Sequence, residues 1–143
     1  MAAFVFAIDQ LSKFWVVQRF LPGETRPLLP NIFHLTYVLN PGAAFGILAN
    51  QKIFFVAISL LIILLIAILG VIIPARHYFL RFALSLQLGG ALGNLIDRIR
   101  IGYVIDFLDF QIWPVFNVAD IAIVLGTGLL LISLLQNKSF SGS

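Results

Sequence analysis

The chain has no cysteine among its 143 residues, which excludes disulfides, thiolate metal ligands and a cysteine nucleophile. Its two histidines, His34 and His77, lie far apart and form no HExxH pattern, so we predict no metal site. Charge is scarce, since Asp, Glu, Lys and Arg make up 10% of the sequence, against roughly 25% in a soluble domain. The nine basic residues are spread thinly, so we also predict no nucleic-acid partner.

Apolar residues take the place of charge. They make up 61% of the chain, and the mean hydropathy is +1.06. Such a sequence is neither disordered nor able to cover itself with polar surface, so its solvent must include lipid. The length suits a single domain, which we place over residues 1–143.

Four segments are apolar over about the 20 residues that a membrane-spanning helix needs. We predict spans at 2–20, 53–75, 79–97 and 116–136, with outer loops at 21–52 and 98–115. The amino end lacks a basic region and a small-residue cleavage site, so we expect no cleavable signal peptide. Four spans put both termini on one side of the membrane, but the charge of the loops does not decide which side.

Local patterns add detail between and within the spans. Residues 33–37 alternate apolar and polar side chains, which predicts a strand in a small extramembrane sheet. Gly89 and Gly93 form a GxxxG pattern, typical of helix packing, and we interpret Gly126 and Gly128 in the same way.

Five of the six acidic residues lie in or beside apolar segments, where a carboxylate costs about 2.5–3.5 kcal/mol at a helix centre. Asp9 and Lys13 are spaced i,i+4, so they either neutralise each other or form the polar wall of a site. Asp97 shares a helix face with Asn94 and Arg98. That face either anchors the helix end, or Arg98 and Asn94 orient a substrate backbone or a catalytic acid. Asp97 itself we expect to be structural, paired with a nearby arginine.

The last span opens on Asn117 and Asp120, spaced i,i+3. Asn117 is a candidate helix cap, with Asp120 favoured by the positive helix end. Asp106 lies just before this span, so its carboxyl can meet that of Asp120 at one membrane surface. Asp109, in the same apolar stretch as Asp106, we expect to have a secondary role.

Two carboxyls about 3 Å apart cannot both ionise, so they share one proton. The ionised member can take a proton from water while the neutral member donates to a peptide carbonyl, as in aspartic peptidases. This chemistry needs no serine, cysteine or metal. The same acids could instead serve a small proton- or ion-coupled membrane subunit, or act as anchors in a structural protein.

Five motifs, in order along almost the whole chain, resemble the lipoprotein signal peptidase (signal peptidase II) family of bacteria. They are DQLSK (9–13), NPGAAFG (40–46), GNLIDR (93–98), VIDF (104–107) and FNVAD (116–120). The resemblance implies an all-α membrane protein, a four-transmembrane-helix bundle with a small extracytoplasmic β-cradle. Family members usually carry more residues before the first motif than the eight found here, so either the first span is short or the true start lies upstream.

The resemblance also implies a function. It implies an aspartic endopeptidase that removes the signal peptide of diacylglyceryl-modified prolipoproteins, cleaving before the lipidated cysteine. The catalytic residues would be Asp106 and Asp120, without a metal or other cofactor. The substrate-binding residues would be Asp9, Asn40, Gly42, Asn94, Arg98 and Asn117.

The setting that the resemblance implies is the bacterial cytoplasmic membrane. Both termini would be cytoplasmic, and the active site would lie near the outer face. The partners would be prolipoprotein substrates and membrane lipids, with globomycin as an inhibitor that occupies the place of the substrate. We expect the protein to act as a monomer, because a site within one chain needs no second copy.

Overall fold

The computed structural model describes residues 1–43 and 47–140, with side chains described up to residue 136. Residues 44–46, the end of the NPGAAFG motif, lie outside the described residues. In the described ranges the chain forms four helices and a three-stranded sheet. In chain order these are α1 (Ala2–Arg19), β1 (Thr25–Leu29), β2 (Phe33–Asn40), α2 (Lys52–Ile72), α3 (Tyr78–Ile101), β3 (Val104–Asp109) and α4 (Val118–Phe140).

The helices occupy the four segments predicted from hydropathy, but their boundaries differ. α2 ends at Ile72, shortly before Pro74, which disfavours helical backbone in the residue that precedes it. α3 continues one turn beyond the predicted limit at Asp97 and ends against Gly102, whose φ of +83° closes the helix. The predicted loop at 98–115 is therefore wrong in its first turn, because Arg98 lies on the helix.

Among the described residues, three helices are long and apolar enough to cross a membrane, α2, α3 and the segment Val118–Gln136 of α4. α2 has only one buried residue, Ile66, and the rest of its Leu, Ile and Val side chains are at least partly exposed. A helix that is apolar all round is stable only in apolar surroundings. These helices therefore identify a membrane protein.

α3 lies at the centre and packs against α1, α2 and α4. Two adjacent glycines permit this: Gly89 lies against Val5 of α1, and Gly90 lies against Ala119 and Ile123 of α4. Gly93 lies against the carboxylate of Asp9, so both glycines of the GxxxG pattern pack against α1, which confirms the prediction that the pattern serves helix packing.

The two glycines of α4 differ from each other. Gly126 packs against Ala83 and Gln87 of α3, which confirms the interpretation of this residue as a packing position. Gly128 has no described atom within 4 Å of the place where a β-carbon would lie, so the same interpretation is wrong for Gly128.

The sheet is antiparallel in the order β1-β2-β3. The strand predicted at 33–37 is confirmed and extends to Asn40. Its partner β3 was not predicted, because the sequence VIDFLD does not alternate strictly. The sheet packs on the end of α1 through a small core, so α1 positions β3. The core contains Val16, Phe20, Tyr37 and Phe107.

The close approach of α3 and α4 predicts that Gly90→Ala is destabilising. The new β-carbon would lie 2.5 Å from the carbonyl oxygen of Ala119, and overpacking of this kind costs about 1–3 kcal/mol. The measurement is the melting temperature in detergent, followed by tryptophan fluorescence. Gly128→Ala is the matched control, because its β-carbon meets open space. Equal melting temperatures for the two variants would contradict the packing role of Gly90.

Candidate active site

The site lies at the end of the bundle that carries the sheet. Asp106 is on β3, and Asp120 is in the first turn of α4. We call these two residues the carboxylate pair. Both line a cavity of about 550 Å³ whose other walls come from α2, α3 and the segment before α4. The topology thus brings Asp106, on a strand that was not predicted, and Asp120, on a helix, to one cavity.

Asn117 connects the two acids of the pair. Its side-chain oxygen accepts a hydrogen bond from the backbone N–H of Asp120 at 2.9 Å, which confirms the predicted helix cap. In return, a carboxylate oxygen of Asp120 accepts from the backbone N–H of Asn117 at 3.2 Å, completing a reciprocal cap. The side-chain amide of Asn117 then donates to Asp106 at 2.7 Å. One residue therefore contacts both carboxylates.

The remaining carboxylate oxygens accept from two further amides. Asn40, at the end of β2, donates to the second oxygen of Asp106 at 3.0 Å. Asn94, on α3, donates to the second oxygen of Asp120 at 2.9 Å. All four oxygens of the pair are thus held by neutral N–H donors, which fix their orientation without neutralising their charge.

The environment of Asp106 favours its protonated form. Its side chain is buried, with 2% of its surface exposed. Burial first, and the charge of Asp120 second, raise the pKa of Asp106 from 3.8 to about 7. Two acids that interact in this way titrate as a unit, so near neutral pH the pair can hold a single proton.

Of the other residues that the resemblance assigned to substrate binding, four line the cavity. They are Asn40, Gly42, Asn94 and Arg98. The guanidinium group of Arg98 lies 5.0 Å from the ring centre of Phe55, and one of its nitrogens lies 3.5 Å from the carbonyl oxygen of Gly42. Arg98 thus places a cation in the wall of the cavity that Asp106 and Asp120 also line.

Asp9 and Asn117 are fully buried behind the cavity wall. Asp9 accepts a hydrogen bond from the backbone N–H of Ala119 at 2.9 Å, and so supports the first turn of α4. Asp109 lies elsewhere on the sheet, where it accepts hydrogen bonds from Thr36 and Gln111.

Lys13 is the functional residue that sequence reasoning underestimated. Its ion pair with Asp9, at 2.9 Å, confirms the i,i+4 prediction. It also forms an ion pair with Asp97 at 2.8 Å, so the expectation that an arginine pairs with Asp97 is wrong. Asp9 and Lys13 share one face of α1, and Asn94 and Asp97 share one face of α3. Only the packing of the two helices shows that these faces meet.

In the part of the chain that the structure describes, no group of three or more His, Cys, Asp or Glu side chains could hold a metal ion. The polar groups around the pair include its amide donors and Arg98. Membrane-length helices together with such a pair define the chain as a membrane protein equipped for acid–base chemistry.

Comparison with known proteins specifies the family. The family model described as Signal peptidase (SPase) II matches residues 1–136. The lipoprotein signal peptidase of Moorella thermoacetica is 54% identical over 91% of this chain and 87% of its own length. That of Pelotomaculum thermopropionicum is 48% identical over 97% of this chain and 91% of its own length.

A solved structure agrees with these sequence matches. A bacterial membrane enzyme determined by the in meso method at 2.3 Å resolution superposes with a TM-score of 0.90 at 36% identity, covering 96% of this chain and 87% of that one. The chain belongs to the signal peptidase II family. The resemblance carried by the five motifs is confirmed, and the chain is an aspartic protease, a hydrolase.

The raised pKa of Asp106 predicts a pH-dependent effect on stability. The unfolded chain loses this proton near pH 3.8, whereas the folded protein keeps it to about pH 7. Between these values unfolding releases a proton, so this carboxyl lowers the free energy of unfolding as the pH rises. Asp106→Asn removes that loss. Its melting temperature should exceed that of the wild type at pH 8 by about 4 °C or more and match it at pH 4.

Asp109→Asn is the control, because Asp109 is a buried acid of the same strand outside the cavity. A difference between wild type and Asp106→Asn that is the same at pH 4 and pH 8 would show that the pKa of Asp106 is not raised.

Proposed function

We propose that this protein removes the signal peptide from diacylglyceryl-modified prolipoproteins, cleaving before the lipidated cysteine, with Asp106 and Asp120 as the catalytic residues. The observation that carries this assignment is the carboxylate pair itself. Its members come from separate elements, are joined through Asn117 and line one cavity. The names of the relatives supply the class of substrate.

The geometry suits an attack by water on the peptide carbonyl. The ionised carboxyl takes a proton from water as the water oxygen bonds to the carbonyl carbon, and the neutral carboxyl gives its proton to the carbonyl oxygen. The resulting gem-diol collapses as the first carboxyl protonates the leaving nitrogen and the C–N bond breaks. The second carboxyl recovers its proton from the gem-diol. The pKa of Asp106, about 7, suits proton exchange at neutral pH.

The cavity suits a substrate that arrives within the membrane. Its walls away from the pair come from α2, α3 and α4, and α2 and α4 both pack against α3. These walls are mostly apolar, with Ser59, Gln87 and Thr127 as polar residues among them. The wall residues include Ile62, Ile66, Ile123 and Val124. We infer that the apolar signal helix of the substrate packs against this wall, so that the peptide bond at the end of the helix lies beside the carboxylate pair. Globomycin would inhibit by occupying the same cavity.

We further propose that α1 is a fourth transmembrane helix, which completes a single membrane-embedded domain. Its charges argue against a span by composition, but Asp9 and Lys13 are turned into the protein, with 0% and 2% of their surfaces exposed. Up to Val17 the exposed side chains of α1 are apolar, as lipid requires, and only Gln18 and Arg19 at its end are exposed and polar. The exposed apolar side chains include Phe4, Ile8, Leu11 and Phe14.

The chain direction supports the expected orientation. α1 runs towards the sheet and α4 runs away from the carboxylate pair, so both termini lie at the opposite end of the bundle. We propose that both termini face the cytoplasm, and that the sheet and the pair lie near the outer face of the bacterial cytoplasmic membrane. The cavity is formed within one chain, which supports a monomer surrounded by membrane lipids.

The alternative of a proton- or ion-coupled subunit is not favoured. Such a subunit needs acids at mid-membrane depth on facing helices. Here Asp120 is in the first turn of α4 and Asp97 is in the last two turns of α3, at the same end of the bundle.

We expect Asp106→Asn and Asp120→Asn each to reduce cleavage of a lipidated prolipoprotein by about a thousandfold or more, because each removes one partner of the proton transfer. Cleavage is measured as the decrease in size of the purified precursor in detergent, with and without globomycin. Both variants should keep a cooperative melting transition, and Asp109→Asn should cleave at nearly the wild-type rate. Normal cleavage by either catalytic variant would rule out the assignment.

Arg98→Gln tests the proposed contact with substrate. It removes the cation beside the cavity while keeping a polar side chain. We expect KM to rise about tenfold, because a hydrogen bond to a charged group contributes about 1.5–3 kcal/mol. Steady-state kinetics with graded precursor concentrations measures it. An unchanged KM would show that Arg98 does not bind substrate.

A further inference from the structure

We propose that Lys13 is the positioning residue of this site, a buried ammonium group that holds both elements bearing the carboxylate pair. The inference rests on the proposed catalytic role of that pair. Lys13 does not line the cavity that contains Asp106 and Asp120. It lines a separate cavity of about 180 Å³ on the other side of the wall, so it acts through other residues.

All three N–H donors of Lys13 have acceptors in the protein. They donate to Asp9 at 2.9 Å, to Asp97 at 2.8 Å and to the side-chain oxygen of Asn94 at 3.0 Å. We call these four residues the Lys13 cluster. Every member is buried, and a lysine has three donors to satisfy, so the geometry leaves the ammonium group in one position.

The two acids of the Lys13 cluster hold the residues that immediately precede the carboxylate pair. Asp9 accepts from the backbone N–H of Ala119, next to Asp120, at 2.9 Å. Asp97 accepts from the backbone N–H of Ile105, next to Asp106, at 3.1 Å. The ammonium group fixes both acids, so it sets the positions of β3 and α4 relative to each other.

Asn94 provides a third connection. Its side-chain oxygen accepts from Lys13 and also from Asn117, at 3.0 Å in both cases. That leaves its side-chain nitrogen to donate to Asp120. The contact with Lys13 therefore helps to select the orientation of the amide that holds one catalytic carboxylate.

Besides its hydrogen bonds, Lys13 also acts on the carboxylate pair through its positive charge. The charged and titratable groups that lie beside Lys13 or interact with its charge are Asp9 on α1, Asp97 and Arg100 on α3, Tyr37 on β2, Asp106 on β3 and Asp120 on α4. Arg98 on α3 interacts with Asp97, Asp106 and Asp120 from the side of the larger cavity. The positive charge of Lys13 lowers the pKa of Asp106 against the larger effect of burial. Without it, the negative charges of Asp9 and Asp97 remain, so ionisation of the pair requires a higher pH.

Lys13→Met tests the proposal, because it keeps the length of the side chain and removes the charge. We expect kcat for a lipidated prolipoprotein to fall tenfold or more while KM changes less than twofold, since the cavity keeps its lining. The acidic limb of the pH–rate profile should move to higher pH. Lys13→Arg keeps the charge, so it should retain the wild-type acidic limb even where kcat falls.

Lys52→Met is the matched control, because Lys52 is an exposed lysine that lines neither cavity and donates to the backbone carbonyl of Ile99. It should leave kcat and the pH profile unchanged. Where Lys13→Met does not fold, the double variant Lys13→Met/Asp97→Asn is measured in its place, because it leaves one fewer buried carboxylate without a cation. A fall in kcat is expected again, but with a smaller shift of the acidic limb, because only Asp9 then keeps a negative charge without its cation.

The result that would overturn the proposal is a folded Lys13→Met, or the double variant in its place, with wild-type kcat and pH profile. A folded Lys13→Arg whose acidic limb moves to higher pH would also overturn it. Failure of the proposed function gives a different result, which is full cleavage by Asp106→Asn. The two proposals are therefore separated within one set of assays.

Discussion

The structure depends on the burial of charge in a chain whose outer surface is apolar. A carboxylate or an ammonium group inside such a protein is stable only when paired and fully hydrogen-bonded. The chain meets this requirement in the Lys13 cluster, where one cation serves two acids and an amide. The acids of the cluster then accept from backbone N–H groups of β3 and α4, so the network that makes burial possible also organises the fold.

The carboxylate pair is held differently from the Lys13 cluster. Its oxygens accept hydrogen bonds from amides and from one backbone N–H, and none of these donors carries a charge. This arrangement fixes direction while leaving the pair free to exchange a proton, since a directly bonded cation would hold it in the ionised form. The acids of the Lys13 cluster thus have a charged donor, whereas the acids that we propose to be catalytic have only neutral donors, even though both kinds are buried.

Helix capping is part of the site. Asn117 and Asp120 cap the start of α4 by exchanging hydrogen bonds between side chain and backbone. The side chain of Asn117 also donates to Asp106 on β3. The close approach of α3 and α4 at Gly90 brings Asn94 within reach of Asp120. Local helix chemistry and helix packing therefore meet at the residues that we assign to catalysis.

Prediction from the sequence succeeded where the determining interactions are local. The apolar segments became helices, residues 33–37 became a strand, and Asp9 and Lys13 form the ion pair that their spacing indicated. The ordered motifs identified the family, because each preserves residue types at fixed positions. Prediction from the sequence failed for β3. The sequence of this strand does not alternate, and its partner β2 lies more than sixty residues away.

The sequence by itself determined the lipid environment, the helices and the residue types of the site, because hydropathy, spacing and helix caps act over a few residues. Only the tertiary structure decided that Lys13 also pairs with Asp97, and that Asp9 and Asp97 hold the residues preceding Asp120 and Asp106. Lys13 and Asp97 are 84 positions apart, Asp9 and Ala119 are 110 positions apart, and the contact between Asp97 and Ile105 joins α3 to β3, so no local pattern encodes these contacts.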